Sequence, residues 1–111
     1  MHKQDYPHKI LQVASGNFFS TYGGGQVYVK NIVDEMIRQH CSLVVFSFLN
    51  NLDVIKKKDY KGIDLYEIGN IEKEELQQLI QTIQPDIIHA HSQKALMCTI
   101  GQALHIPVVV T

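Results

Sequence analysis

The sequence predicts an α/β domain in which a parallel sheet of about five strands, in the order 3-2-1-4-5, carries helices on both faces. Three observations predict it. Short apolar runs alternate with amphipathic stretches along the chain, the pattern of strands joined by helical crossovers. The apolar runs are nearly continuous, as expected of strands covered on both sides. A triple glycine, in Thr21-Tyr22-Gly23-Gly24-Gly25-Gln26, falls where the first strand gives way to the first helix.

Residues 1–8 have no periodicity, and Pro7 cannot donate to a ladder, so they read as a flexible lead-in. Residues 9–14 make the first strand. Residues 15–22 form a loop longer than the usual connection of about 2–6 residues, and long loops in compact domains are often functional. Phe18, Phe19 and Tyr22 make it aromatic, either to line a pocket or to fold the loop back on the core. The first helix, residues 25–39, buries Val29, Ile32, Val33, Met36 and Ile37, which fall on one face at helical spacing. Lys30, Asp34, Glu35 and Arg38 face solvent, and Asp34 with Arg38 forms an i, i+4 surface pair worth about 0.3–0.5 kcal/mol.

Ser42–Phe48 is apolar and β-branched and makes the second strand. Residues 49–62, with Lys56-Lys57-Lys58 at their centre, read as a solvated connection; the same charge would suit peripheral contact with an acidic membrane surface. Ile63–Ile68 is the third strand. Asn70 is a candidate N-cap for the second helix, whose first turn carries Glu72, Glu74 and Glu75, the sign the helix dipole prefers. Leu76, Leu79, Ile80 and Ile83 form its buried stripe, and Pro85 stops it. The fourth strand, residues 86–91, leads through Ser92, a candidate cap, to a third helix at 93–104. That helix is apolar nearly all round (Leu96, Met97, Cys98, Ile100, Ala103, Leu104), so most of its circumference is expected to be buried. Residues 107–111 make a fifth strand at the sheet edge, apolar and open to association. This ending points to a fragment, or to an edge covered by a partner such as a second copy.

The 111 residues fit one domain with 45% hydrophobic content. A net charge of -1 argues against nucleic-acid binding. There is no apolar leader and no run of about 20 apolar residues to span a bilayer. Cys41 and Cys98 lack CxxC spacing and read as a reduced, cytosolic pair of small core residues.

In an open parallel sheet, ligands bind beyond the carboxyl ends of the strands where the order reverses, here between the first and fourth strands. Two features meet there. Gly23, Gly24, Gly25 and Gln26 let backbone approach a ligand, and the helix they open offers free N–H groups and a partial positive charge of about +0.5, suited to an anion. His89-Ala90-His91-Ser92 ends the fourth strand, with His89 and His91 on the same side as Ile87. His91 and Ser92 sit at the tip and are placed to touch a ligand, whereas His89, one pair deeper, reads as a hydrogen-bonded structural histidine. The blander reading of the glycines is a loop that merely needs positive φ. The sharper reading of His-x-His is a zinc pair, but no third ligand converges in the sequence. A dinucleotide fingerprint fails at Tyr28, and neither a Walker P-loop nor a nucleophile elbow is present.

Taken together, these pieces resemble the N-terminal domain of a family 4 glycosyltransferase of the GT-B fold. The resemblance rests on Gly23-Gly24-Gly25-Gln26 opening a helix, on Gln84-Pro85-Asp86-Ile87-Ile88-His89-Ala90-His91-Ser92, and on Ile106-Pro107-Val108-Val109-Val110-Thr111. These match the family's glycine loop, its Lys-Pro-Asp-Ile-Ile-His-x-His segment and the strand before its Thr-x-His-Gly loop, with Gln84 where lysine is common. The resemblance covers residues 9–111, a partial Rossmann-like, acceptor-side domain, and implies transfer of a sugar from a nucleotide-sugar donor to an acceptor hydroxyl. It further implies retention of configuration and no metal or other cofactor; the cysteines point to a cytoplasmic setting, and the lysine run to peripheral contact at the inner membrane face. Gly24 and Gly25 would bring N–H groups to the donor diphosphate or incoming hydroxyl, and His91 and Ser92 would border the acceptor. No catalytic residue is assigned, and the 111 residues alone are expected to be inactive for want of a donor domain. The alternative is a non-catalytic module that binds a phosphorylated ligand or a protein partner.

Overall fold

A computed structural model describes residues 8–19 and 24–111, with residues 24–27 described by their backbone alone. In chain order the elements are β1 (Lys9–Ser15), α1 (Gly24–Arg38), β2 (Ser42–Phe48), β3 (Ile55–Tyr60), β4 (Ile63–Ile68), α2 (Lys73–Ile83), β5 (Ile87–Ala90), α3 (Lys94–Leu104) and β6 (Val108–Val110). They form one sheet in the order β3-β4-β2-β1-β5-β6. The five expected strands are β1, β2, β4, β5 and β6; they stand in the expected order, and their pairings are all parallel.

The sixth strand corrects the reading of residues 49–62 as a connection. β3 pairs antiparallel with β4, from Ile55 opposite Ile68 to Tyr60 opposite Ile63. Lys61 (φ 51°) and Gly62 (φ 93°) both adopt left-handed backbone between the strands, the conformation that a two-residue hairpin turn requires. Lys57 reaches Asp64 at 3.6 Å and Lys58 reaches Glu67 at 3.0 Å, so two of the three lysines are tied across the hairpin. An edge strand needs only one ladder and can leave its charges in water, which also deters further pairing.

Strand alternation gives the sheet two unlike faces. On one, Leu11, Val13, Val44, Phe46, Ile68, Ile88 and Ala90 pack with Leu76, Ile80 and Ile83 of α2 and with Met97 and Ile100 of α3. On the other, Ala14, Leu43, Val45, Tyr60 and Leu65 pack with Val29 and Val33 of α1. Phe18 joins that second cluster, fully buried, with its ring edge-on to Tyr60 at 5.5 Å. The aromatic loop therefore folds back on the core, although Phe19 stays 47% exposed. Tyr22 lies outside the described residues.

α3 is less buried than expected. Only Met97, Ile100 and Gly101 are buried, and Cys98 is exposed, while Cys41 is half-buried; neither is a core residue. α3 covers β5 and the short edge strand β6, so one stripe of it has something to pack on. Gly101 sets the approach: a Cβ there would overlap Val108 and lie 2.8 Å from the Ile106 carbonyl oxygen. The caps also differ. α2 starts after Glu72 with no side-chain cap, and the Asn70 N–H donates to the Leu52 carbonyl instead. Gln93, not Ser92, precedes α3, in left-handed backbone (φ 54°). Arg38 pairs with Glu35 rather than Asp34, whose carboxylate accepts from the Tyr60 hydroxyl (2.8 Å) and Lys61 (3.0 Å).

Candidate functional site

β1 lies between β2 and β5, so the strand order reverses there and the carboxyl ends of β1 and β5 bound a crevice on the α1 side. Gly24, Gly25 and Gln26 form the first turn of α1, while Gly23 lies outside the described residues. One turn further, Tyr28 sets its ring edge-on to His91, with centroids 6.5 Å apart. The opening of α1 and the end of β5 are thus neighbours. Ser92, just past β5, bonds the hydroxyl of Ser15 at the end of β1 (2.5 Å). This bond, which ties the rims of the crevice together, replaces the expected capping role of Ser92.

The histidines divide their roles differently from the sequence reading. His91 has both ring nitrogens engaged: Nε2 with Gln12 Oε1 at 2.7 Å and Nδ1 with the Thr111 hydroxyl at 3.0 Å. His89 is the one with a buried Nε2 and no hydrogen-bond partner among the described residues. Gln12 is opposite His89 in the β1–β5 register, yet its amide reaches up the strand to His91. The two imidazoles stack obliquely, with centroids 4.1 Å apart. Burial lowers both pKa values from the ordinary imidazole range, and for His91 the neighbouring His89 and Lys94 add to the effect. Both rings are therefore neutral near pH 7.

Gln12 is the residue that sequence reasoning passed over. It is 2% exposed inside a strand read as apolar. Its Nε2 donates to Met36 Sδ at 3.3 Å, which leaves its carbonyl oxygen for His91. Two more buried polar residues share this face, Ser47 and Glu67, side by side with Ala14 in the register. The Ser47 hydroxyl donates to the Gly16 carbonyl and Glu67 pairs with Lys58, so both hold loop and hairpin in place. Three strand spacings separate β4 from β5, about 14 Å, which keeps Glu67 apart from the histidines. A polar residue within an apolar strand was the signal available for Gln12.

Beside His89, an open apolar hollow of about 290 Å³ lies between α1 and the β5–β6 edge, walled by Ile10, Ile32, Met36, Ile87 and Val109. A larger hollow, about 390 Å³, is lined by Gln81, Gln84, Pro85, Asp86, Leu104 and Ile106. It opens at the amino ends of β5 and β6, opposite the start of α1. Among the described residues, no three His, Cys, Asp or Glu side chains gather as a metal site would require.

Comparison with known proteins gives one family. The model of glycosyltransferase family 4 matches residues 22–111, a span that holds α1, β5, Ser92 and Thr111. No curated protein matches. Among solved structures, a protein of the universal stress protein family from Burkholderia pseudomallei is similar over 94% of this chain and 96% of its own. Its sequence identity is 12% and its TM-score 0.47.

Proposed function

The chain belongs to glycosyltransferase family 4, and from that premise we propose that it is the acceptor-side half of a GT-B enzyme. That enzyme moves a sugar from a nucleotide-sugar donor to an acceptor hydroxyl without a metal, with retention of configuration. The observation that carries this reading is the meeting of the α1 opening with the end of β5 at the point of strand-order reversal, marked by the Tyr28–His91 contact. The N–H groups of the first helical turn have no partner within the helix, which leaves them available to a ligand beside the end of β5. Negative charge grows on the donor diphosphate as the sugar leaves, and fixed N–H donors there stabilise that charge more than the ground state. His91 and Ser92 border the place for the hydroxyl that attacks.

The donor nucleotide is held by a second α/β domain, so the 111 residues alone turn over no nucleotide sugar. A cytoplasmic setting agrees with two free cysteines. Among the described residues no helix is long and apolar enough to cross a membrane.

Calorimetric titration with inorganic pyrophosphate and with a nucleotide sugar tests the reading. Binding is expected to weaken at least tenfold in Gly24→Val, because a branched side chain would stand where backbone must meet the ligand. Equal binding by both proteins would overturn the assignment of α1 as the phosphate-facing element. Turnover by the isolated chain would overturn the division into acceptor and donor halves.

A further inference from the structure

We propose that Gln12 is a positioning residue for this site: it locks His91 as the Nε2–H tautomer and so keeps Nδ1 unprotonated, an acceptor for a ligand hydroxyl in place of the Thr111 hydroxyl, not for an anion. The proposal deepens the transferase reading and rests on it for the identity of the ligand. Gln12 is 2% exposed, and a primary amide buried in a sheet is costly unless its groups are paired. Its N–H is spent on Met36 Sδ, so its oxygen is what faces His91 Nε2 at 2.7 Å. A carbonyl oxygen can only accept, so the proton must sit on Nε2.

A neutral imidazole carries one N–H, which leaves a lone pair on Nδ1. Burial, helped by the nearby Lys94 charge, keeps the ring in that neutral state. The Thr111 hydroxyl donates to Nδ1 at 3.0 Å, so the atom that meets it is already an alcohol. An incoming sugar hydroxyl has the same chemistry and competes for the same lone pair. An anion would be repelled there and goes instead to the N–H groups that open α1. The crevice thus offers two adjacent and opposite kinds of partner, donors from α1 and an acceptor from His91.

Long-range proton–nitrogen correlation spectra of the ¹⁵N-labelled chain test this directly. His91 is expected to show one proton, on Nε2, with Nδ1 at the shift of an unprotonated nitrogen; a proton on Nδ1 would overturn the proposal. Gln12→Leu is expected to release the ring into a mixture of tautomers, and Gln12→Glu, whose carboxylate still accepts, to restore the single form. A ring that stays Nε2–H in Gln12→Leu would show that Gln12 does not position it. If the leucine variant fails to fold, the wild-type and glutamate spectra decide.

Added glucose is expected to move the Nδ1 signal of His91, and inorganic phosphate to move the amide signals of residues 24–26 instead. Phosphate moving Nδ1 while glucose does not would overturn the hydroxyl assignment. If neither ligand perturbs either signal while the tautomer is as stated, the transferase reading fails and the positioning role of Gln12 stands.

Discussion

Towards α2 and α3 the sheet buries only apolar side chains, from Leu11 and Val13 on β1 to Ile88 and Ala90 on β5. Towards α1, the same strands carry Gln12, Ser47 and Glu67, the buried polar residues among those described, together with His89 and His91. One face meets two helices with hydrophobic surface and specifies the fold. The other accepts polar groups in its interior, pairs Gln12 with His91, Ser47 with the Gly16 carbonyl and Glu67 with Lys58, and leaves His89 Nε2 unmatched among the described residues. Departures from a wholly apolar interior gather where a fold does chemistry, and here they sit on the side where α1 begins.

The contrast predicts that damage to the two faces is not interchangeable. The largest effect belongs to Phe46→Ala. Phe46 is fully buried on the apolar face, and its loss should cost about 3–5 kcal/mol, read as a fall in the urea midpoint. Pyrophosphate affinity of the protein that remains folded should not change; a matching loss of affinity would show the faces to be coupled. Gly101→Ala comes next, at about 1–3 kcal/mol, because the new Cβ would press on Val108 and the Ile106 backbone.

Acid should weaken the polar face in particular. Burial lowers both histidine pKa values, so the folded state binds protons less readily than the unfolded chain. Above about pH 6.5 both states are neutral and nothing is lost. As the pH falls below that, the unfolded chain is protonated first and stability declines until the folded-state values are passed. Urea midpoints at about pH 7.5 and about pH 5.5 should show the decline, and His89→Gln combined with His91→Gln should shrink it. The smallest effect is Cys98→Ser, within about 0.5 kcal/mol, since the side chain is exposed on α3. In the native protein Cys98 should react with an alkylating reagent ahead of the half-buried Cys41.

What could be read from the chain itself follows from the same contrast. The runs that became β1, β2 and β5 announce themselves because strands covered on both sides are largely apolar, whereas β4 carries Asp64 and Glu67 and is marked by Ile63, Leu65 and Ile68. β3 was hidden because an edge strand such as Ile55–Tyr60 can consist of charges and needs only the ladder to β4. Its one local signal was Lys61-Gly62, a pair able to take the turn. For the histidines, alternation gives the side of the sheet but not the partner. Gln12 lies 79 residues from His91, and which of two stacked rings it would reach depends on the assembled sheet. Cys98 was misplaced because an apolar helix reads as buried all round, whereas α3 has a strand pair beneath a single stripe.

The span of the bonds that build the crevice has a further consequence. Gln12–His91 and Ser15–Ser92 bridge 79 and 77 residues, whereas the β3–β4 hairpin closes through two. Bringing such distant segments together carries the larger entropic cost, so the pocket exists only once β1 and β5 have joined. A compound that docks there therefore favours the whole folded domain over the unfolded chain, by about 2.7 kcal/mol at a hundred times its dissociation constant. Upward shifts in melting temperature can then report the first authentic ligand without any turnover being observed.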